Sequence, residues 1–515
     1  MRCVSLMMSS VLSLIWLLCI LPGEGSGAIS AGAAAIDITP EKLPALQNGQ
    51  FLEINQDKVL DRLYARCFVL QSGETTVAIV VVDSCMIPRD ICDRAKILAS
   101  QKTGIPVDRI LISSTHTHTA PSVMNLCLGT NSDPAYERFL PPKLAEGIAK
   151  AYANREPARI GYTSVDAPAH TYCRRWLRQP DQPGEDPFGD KTVRAMMHPG
   201  HQNPEFISPA GPVDPGLSLL SIQSVDGKRP LGLLANYSMH YFGARGGFSS
   251  DYYGKFCQLL EAKIGKTGDS KRPFVAALSQ GTSGDLQWMD YSKPRRSDYG
   301  LDQYAGELAE IALNAYQKII YGSGTPELEM AQATVVLNRR LPTPERLAWA
   351  EAINAKRGER RPANRPEVYA EQALWIESHP IEELILQVIC IGDLAITAIP
   401  NEVYAITGLK LKAQSPFRYT FNMSLANGAA GYIPPPEQHY LGGYTTWPAR
   451  TAGLETGAEP QIVGTLLGLL ELISGQRRKP LTTDFYNERQ RTAIEKAKAD
   501  NNNLVNRGRR IERKD

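Results

Sequence analysis

Histidine is scarce in this chain, with eight in 515 residues, and net charge is almost absent, at 56 basic against 54 acidic side chains. No long basic stripe stands out, which gives nucleic-acid binding no support. Cysteine is dispersed. Seven remain beyond the first 27 residues (Cys67, Cys85, Cys92, Cys127, Cys173, Cys257 and Cys390), with no CxxC pair among them. That excludes a zinc ribbon and a dense disulfide framework. An odd number leaves at least one unpaired within the chain, and Cys85 and Cys390 in apolar runs read as buried thiols. Long apolar runs are missing except at the start, where Arg2 precedes an uncharged stretch centred on Val11 to Leu21, followed by Gly25 and Gly27. A short apolar core with a basic flank and small residues after it predicts a secretory signal over residues 1–27, hence export to a periplasmic, secreted or cell-surface location.

What is present is an alternation of strand-like and helix-like segments. "TTVAIVVVD" (Thr75 to Asp83), a helical segment from Asp90 to Gly104 and "DRILISS" give a β-α-β order. "LGLLANYSM", a helix over Asp251 to Ile264 and "PFVAALS" repeat it, and "LAITAIP", "NEVYAITGLKLK" with Asn401 as N-cap, and "RYTFNMSLAN" do so again. Further helices are predicted over Leu301 to Tyr321, Pro344 to Lys356 and Glu459 to Ser474. The pattern predicts an α/β fold: a single large domain, residues 28–485, with mixed or parallel sheets flanked by helices. The sequence contains no internal repeat. Gln179 to Asp214 is rich in Pro, Gly and Asp and too long for a routine connection, which makes it a candidate functional loop. Arg357 to Pro366 reads as a charged connector, and residues 486–515 as a charged tail, either a frayed helix or disordered.

In open α/β sheets the ligand site lies beyond the carboxyl ends of the strands. Those positions hold His116 and His118 in "STHTHT", His240 after "NYSM", Gln280 to Asp285, Glu402 after "LAITAIP", and Tyr432. Imidazole and carboxylate donors suit zinc, and a catalytic zinc keeps one position for water. Alternate residues of an ideal strand point to opposite sides, so His116 and His118 could share a metal only from a turn. Each residue alone has an ordinary reading: polar loop histidines, a core histidine at 240, a first-turn helix acid at Glu402, an aromatic loop liner at Tyr432. Their recurrence at equivalent topological places favours a site. "GTSG" (Gly281 to Gly284) lacks the G-x-S-x-G spacing of a nucleophile elbow, so a Ser-His-Asp hydrolase finds little support.

Taken together, "SSTHTHTAP", "NYSMH", "QGTSGD", "IPNEVYAITG" and "GAAGYIPPPEQHYLGGY", with "AAAIDITP" and "GPVDPGLSLL", resemble the neutral/alkaline (non-lysosomal) ceramidase family over Ala28 to Leu472. More closely, the chain resembles bacterial members carrying only the N-terminal catalytic domain. The resemblance implies a zinc ion on His116, His240, Glu402 and Tyr432. It places His118 beside the reacting group, Tyr444 at the developing oxyanion, and an arginine of "CRRW" in the site, Arg174 with Arg175 as its neighbour. Asp285 would orient a ligand from behind. The implied activity is hydrolysis of an amide, in ceramide or another N-acyl compound, by a zinc-activated water. Two departures accompany it: Gln287 in "GDLQW" stands where typical members carry a serine, and no immunoglobulin-like C-terminal domain is expected. The alternatives are a ligand-binding protein that keeps the fold without turnover, and a zinc hydrolase of an ester or a sugar-linked amide. The expected partner is a small-molecule or lipid amide, and the resemblance is compatible with peripheral membrane contact.

Overall fold

The computed structural model describes residues 29–511 apart from 245, 266–270 and 323. The signal segment over residues 1–27 lies outside the described residues. Among them no helix is long and apolar enough to cross a membrane.

Eight strands build the larger sheet: β1 (Ser30–Asp37), β2 (Tyr64–Ser72), β3 (Thr75–Val82), β4 (Ile110–Ser114), β5 (Glu156–Asp166), β6 (Gly216–Ser224), β7 (Pro230–Tyr237) and β8 (Val275–Gln280). Their spatial order is β8-β7-β6-β5-β1-β2-β3-β4. A four-stranded sheet follows in chain order, β9 (Leu328–Asn338), β10 (Ile381–Ile391), β11 (Leu394–Ile399) and β12 (Tyr419–Ser424). Nine helices are named here: α1 (Arg89–Thr103), α2 (Pro134–Ala153), α3 (Asp251–Ile264), α4 (Leu301–Tyr316), α5 (Pro344–Arg357), α6 (Arg365–Ser378), α7 (Ala405–Gln414), α8 (Ala458–Ser474) and α9 (Glu488–Ile511).

The sheets stack face to face between helical layers. Ile79, Leu111, Leu234 and Val275 meet Ile389, Ile396 and Phe421 between the two sheets. On the far face of the large sheet, Val80 and Ile112 pack under Ile91 of α1 and Leu144 of α2, while Leu233 and Ala276 pack under Phe256 of α3 and Leu308 of α4. Leu386 and Val388 of the small sheet meet Ile462 and Leu466 of α8. Both faces of β3 are thus covered, which is why its sequence is apolar without alternation. Each fully buried Val, Leu, Ile or Phe contributes about 1.5–3 kcal/mol to this sandwich.

One supersecondary unit recurs three times among the described residues: an antiparallel hairpin, a crossover helix and a strand parallel to the hairpin's second arm. The units are β2-β3-α1-β4, β6-β7-α3-β8 and β10-β11-α7-β12. A hairpin needs only a tight turn, whereas the parallel return requires the helix. Each unit therefore ends in two adjacent strand termini pointing the same way. No sequence repeat accompanies this structural one.

Two expectations are corrected and a third is narrowed. Asn401 does not cap α7, which begins at Ala405 after Tyr404. Instead Glu402 and Val403 form a short parallel ladder with Tyr432 and Ile433, and the Asn401 side chain bonds the Gly431 carbonyl at 3.0 Å. The long loop is not irregular throughout: its strands Ala195–Met197 and Phe206–Pro209 pair on either side of Arg175–Arg178, which precedes it, in a small sheet. In the tail the helical alternative holds over Glu488–Ile511, which form α9, and its Ile494 and Ala497 pack against Leu177 and Ala195 of that sheet. All seven described cysteines are free and buried.

Candidate metal centre and active site

The three units converge their strand ends on one buried spot. His116 follows β4 and is delivered by a left-handed backbone, φ 72°, that breaks the strand immediately. A non-glycine residue at such an angle is uncommon and requires support from its surroundings. The His116 N–H supplies it, bonding the Ser84 carbonyl at 2.9 Å. The turn changes the geometry of the pair: His116 and His118 do not diverge as in an ideal strand, and their Nε2 atoms lie 3.1 Å apart.

His240 follows β7. Its Nε2 lies 2.9 Å from that of His116, and the Glu402 carboxylate lies 3.2 Å from His116 Nε2 and 3.6 Å from His240 Nε2. Glu402 is not a first-turn helix acid; it is paired in register with Tyr432. Gly431 sets that register. Its φ is 75°, and an added Cβ would fall 2.3 Å from the Thr451 backbone. Its carbonyl accepts from the Glu402 N–H at 3.0 Å, while Tyr432 N–H bonds Thr451 at 2.8 Å.

The tautomers follow from the partners. His116 Nδ1 is 2.9 Å from the Cys85 carbonyl, and His240 Nδ1 is 3.1 Å from the Ser283 carbonyl. A carbonyl only accepts, so both Nδ1 atoms carry the proton and both Nε2 atoms present lone pairs. Glu402 Oε2 is buried and has no hydrogen-bond donor. His116 Nε2 and Glu402 Oε2 therefore meet with no proton between them, while His240 Nε2 also faces the Arg174 guanidinium at 3.1 Å. Such an arrangement is repulsive unless a cation sits among them, and second atoms fixed by carbonyls are how metal-binding imidazoles are held. His116, His240 and Glu402 form a buried cluster able to hold a metal ion, and Cys85, His116 and His118 form an adjoining one. Burial, with Arg174 and His116 adding to it, pushes His240 well below the ordinary histidine range. Burial, then His116 and Arg174, does the same to His118, so both are neutral bases.

Arg174 is the arginine of the pair that joins the cluster. Its Nη2 reaches His240 Nε2 at 3.1 Å, the Gly284 carbonyl at 2.9 Å and the Tyr432 hydroxyl at 3.0 Å. Arg175 points the other way, to Gln438 and the Gly442 carbonyl, because neighbours in extended chain face opposite sides. Tyr432 is pushed well above the ordinary phenol range by burial and by Glu402, and Tyr444 by burial and then Tyr369 and Glu402, so both keep their protons. The Tyr444 ring lies 5.7 Å from that of Tyr432, edge-on. Asp285 does not touch the cluster: its carboxylate accepts from the Ala405 N–H at 2.8 Å, and its carbonyl from the Arg174 N–H at 2.8 Å. It ties the start of α7 to the arginine, with burial raising its carboxyl to about 6.

A cavity of about 640 Å³ opens above His118. Tyr241 stacks on the His118 ring at 3.8 Å, and Gln47, His198 and Gln287 line the space. His198 comes from the long loop and bonds the Tyr291 hydroxyl at 2.9 Å. Gln47 and His198 escaped the reading by strand ends because Gln47 ends a three-residue strand, Ala45–Gln47, outside the main sheets, and His198 sits on a loop. Composition of the long loop was the available signal for His198, and nothing local marked Gln47.

No family model matches the chain, and no curated protein does. Solved structures do. A neutral ceramidase from Pseudomonas aeruginosa superposes with a TM-score of 0.64 at 16% identity, over 89% of this chain and 76% of that one. A ceramidase complexed with C2 gives a TM-score of 0.64 at 16% identity, over 89% of this chain and 77% of that one. At that identity the likeness is one of architecture, and the architecture of this chain is that of the neutral ceramidases.

Proposed function

We propose that the protein is an exported, zinc-dependent hydrolase of an N-acyl amide. The observation that carries this reading is the close meeting of His116 Nε2, His240 Nε2 and Glu402 Oε2, the last with no hydrogen-bond donor, on a ceramidase-like fold. Two neutral imidazoles and a carboxylate fit zinc, with Tyr432 as the fourth protein group of the set. The chemistry that zinc supplies when bound there is Lewis acidity and a water of lowered pKa.

The chain's own residues do the rest. His118, neutral and facing both cluster and cavity, would take up the proton released by the attacking water and return it to the leaving nitrogen. Tyr444 keeps its proton and donates a hydrogen bond to the oxygen that gains charge. Arg174 donates to the Tyr432 hydroxyl, fixing the phenol against Glu402, and its charge stabilises the same developing anion. Asp285 is a positioning residue, since it acts through the α7 terminus and the Arg174 backbone. Gln287, in the place of the family's serine, is no nucleophile, and this favours a second reading in which the protein binds its ligand without turnover.

Metal analysis and a panel of N-acyl amides and esters test the proposal. Wild type is expected to bind one zinc per chain and to cleave an amide, with Glu402→Ala lowering the rate by at least about a thousandfold. Absence of zinc, or unchanged zinc in a His116→Ala/His240→Ala double variant, would sink the metal assignment. Zinc binding without turnover of any amide or ester would select the second reading.

A further inference from the structure

The backbone around His118 is pinned from both sides, but its ring is not. Thr117 and Thr119 each donate a hydroxyl to the Ser249 carbonyl, at 2.8 and 3.0 Å, and Gln47 Nε2 donates to the His118 carbonyl at 2.6 Å. The imidazole is half-buried and stands in the wall of the cavity. Its Nε2 lies 3.1 Å from His116 Nε2, and no other side chain bonds the ring among the described residues. With open space on one side, an unbraced ring is free to change rotamer, whereas proton transfer needs it to hold one aim.

Two groups supply the brace. Tyr241 stacks on one face of the ring, with centroids 3.8 Å apart and planes at 24°. The Gly49 backbone lies against the Cγ–Nδ1 side: its φ is 83°, and an added Cβ would fall 2.5 Å from His118 Cγ and 2.6 Å from Nδ1. Cγ sits at the stem of the side chain and cannot give way without turning the ring. Tyr241 is held in its turn. It directly follows His240, whose carbonyl accepts from the Tyr253 hydroxyl. On its other side the Asp251 carboxylate accepts from the N–H groups of Phe242, Gly243 and Ala244 at 2.9, 2.9 and 3.1 Å. Asp251 is 2% exposed and itself sits at φ 56°, an angle that a non-glycine residue keeps only with such support. One dipeptide, His240–Tyr241, thus delivers a member of the metal cluster and the brace of the neighbouring histidine.

We infer that Tyr241 is a positioning residue that aims His118 Nε2 at the metal cluster, closing a slot whose other side is the Gly49 backbone. This rests on the amide-hydrolase reading above, in which His118 moves the proton, and adds the group that sets its aim. The stack requires an aromatic ring at position 241 and no hydroxyl. Tyr241 acts through His118, so its loss falls on turnover and leaves substrate affinity in place.

Magnetic resonance of the full zinc-loaded chain, labelled only in its eight histidines, reads the ring without requiring turnover, and His118→Gln assigns its signal. The tyrosine ring current is expected to shift the His118 ring protons upfield. Tyr241→Leu and Tyr241→Met should abolish that shift and Tyr241→Phe should keep it, with zinc content unchanged in all three. Gly49→Ala should displace the signal with Tyr241 still in place. On an amide that wild type cleaves, the leucine and methionine variants should lose about tenfold to a hundredfold in kcat at little-changed KM, and the phenylalanine variant should match wild type. An unchanged His118 signal in either folded non-aromatic variant, a loss confined to KM, or Tyr241→Phe as impaired as Tyr241→Leu overturns the inference. Loss of zinc from the non-aromatic variants also overturns it, because Tyr241 would then serve His240. If wild type cleaves no amide or ester, the enzyme reading fails by itself, and the ring signals alone decide whether Tyr241 aims His118.

Discussion

Two buried carboxylates sit at corresponding places in the fold and meet opposite fates. Asp83 directly follows β3 and Glu402 follows β11, each the second arm of a hairpin whose parallel partner lies beside it. Asp83 accepts from Arg66 at 2.8 and 2.9 Å and from the Tyr64 N–H at 2.8 Å, with neither side chain of the pair more than 4% exposed. Glu402 is equally buried, but its Oε2 has no donor, and its neighbours are the lone pairs of two imidazoles. One carboxylate is neutralised by the chain itself. The other meets no donor of its own and belongs to a cluster able to hold a metal ion. Burial and position are shared, so the distinction between a structural acid and a ligand lies entirely in the partners.

The sharpest way to break the comparison is to remove the structural acid. Asp83→Ala leaves the Arg66 guanidinium buried without an anion, and is expected to lower stability by about 3–5 kcal/mol. Urea denaturation measures that loss, and the folded fraction should still bind zinc at wild-type stoichiometry. A loss under about 1 kcal/mol would mean that Arg66 finds water, and that the pair is less enclosed than its exposure implies.

The complementary change tests the other acid through linkage. A ligand that binds only the native state at a hundredfold excess over its Kd stabilises by about 2.7 kcal/mol. Zinc-loaded wild type should therefore melt several degrees above the chelated protein. Glu402→Gln should remove most of that difference and leave the chelated form no less stable, because the carboxylate facing the His116 lone pair has gone. Identical melting of wild type with zinc and with chelator would refute the idea that the cluster awaits a cation.

Much of this contrast was legible in the sequence, and its limits have physical causes. The three βαβ signals, "TTVAIVVVD" to "DRILISS" and their two counterparts, located the strand ends, because strands covered on both faces read as unbroken apolar runs. Those ends carry His116, His240, Glu402 and Tyr432, which the structure brings to one point. Partnership was not legible. Asp83 meets an arginine from the neighbouring strand, 17 residues away in sequence, and no local pattern announces a cross-strand pair. Asn401 read as a helix cap because the parallel ladder between Glu402 and Tyr432 is two residues long, below what periodicity can register. Whether His116 and His118 approach one another turned on a bend that composition does not display, and one left-handed residue supplies it. Gln47 reaches the site from a three-residue strand, Ala45–Gln47, too short for periodicity to register.

A third buried charge sharpens the comparison from the other side. Lys96 lies on the inner face of α1 at 4% exposure and forms no ion pair among the described residues. Burial, only partly offset by Cys92 and Asp93, lowers its ammonium to about 8 from 10.5. It is a cation without an anion, as Glu402 is an anion without a cation, but no group converges on it and nothing suggests a ligand. Its effect should then be purely destabilising. Because the folded pKa lies below the unfolded one, the unfolded chain binds more protons between pH 8 and pH 10.5. Wild-type stability therefore rises with pH across that window, and the penalty is full and constant below it. Lys96→Met keeps the stem that packs against the core and removes the charge. It should stabilise the fold by about 1–3 kcal/mol at pH 7, with the gain fading towards pH 10.5. Paired urea titrations at pH 7 and pH 10 measure it. An equal gain at both values would mean that the benefit comes from packing, and that an unpaired buried charge in this fold is not by itself the mark of strain that the metal cluster makes it seem.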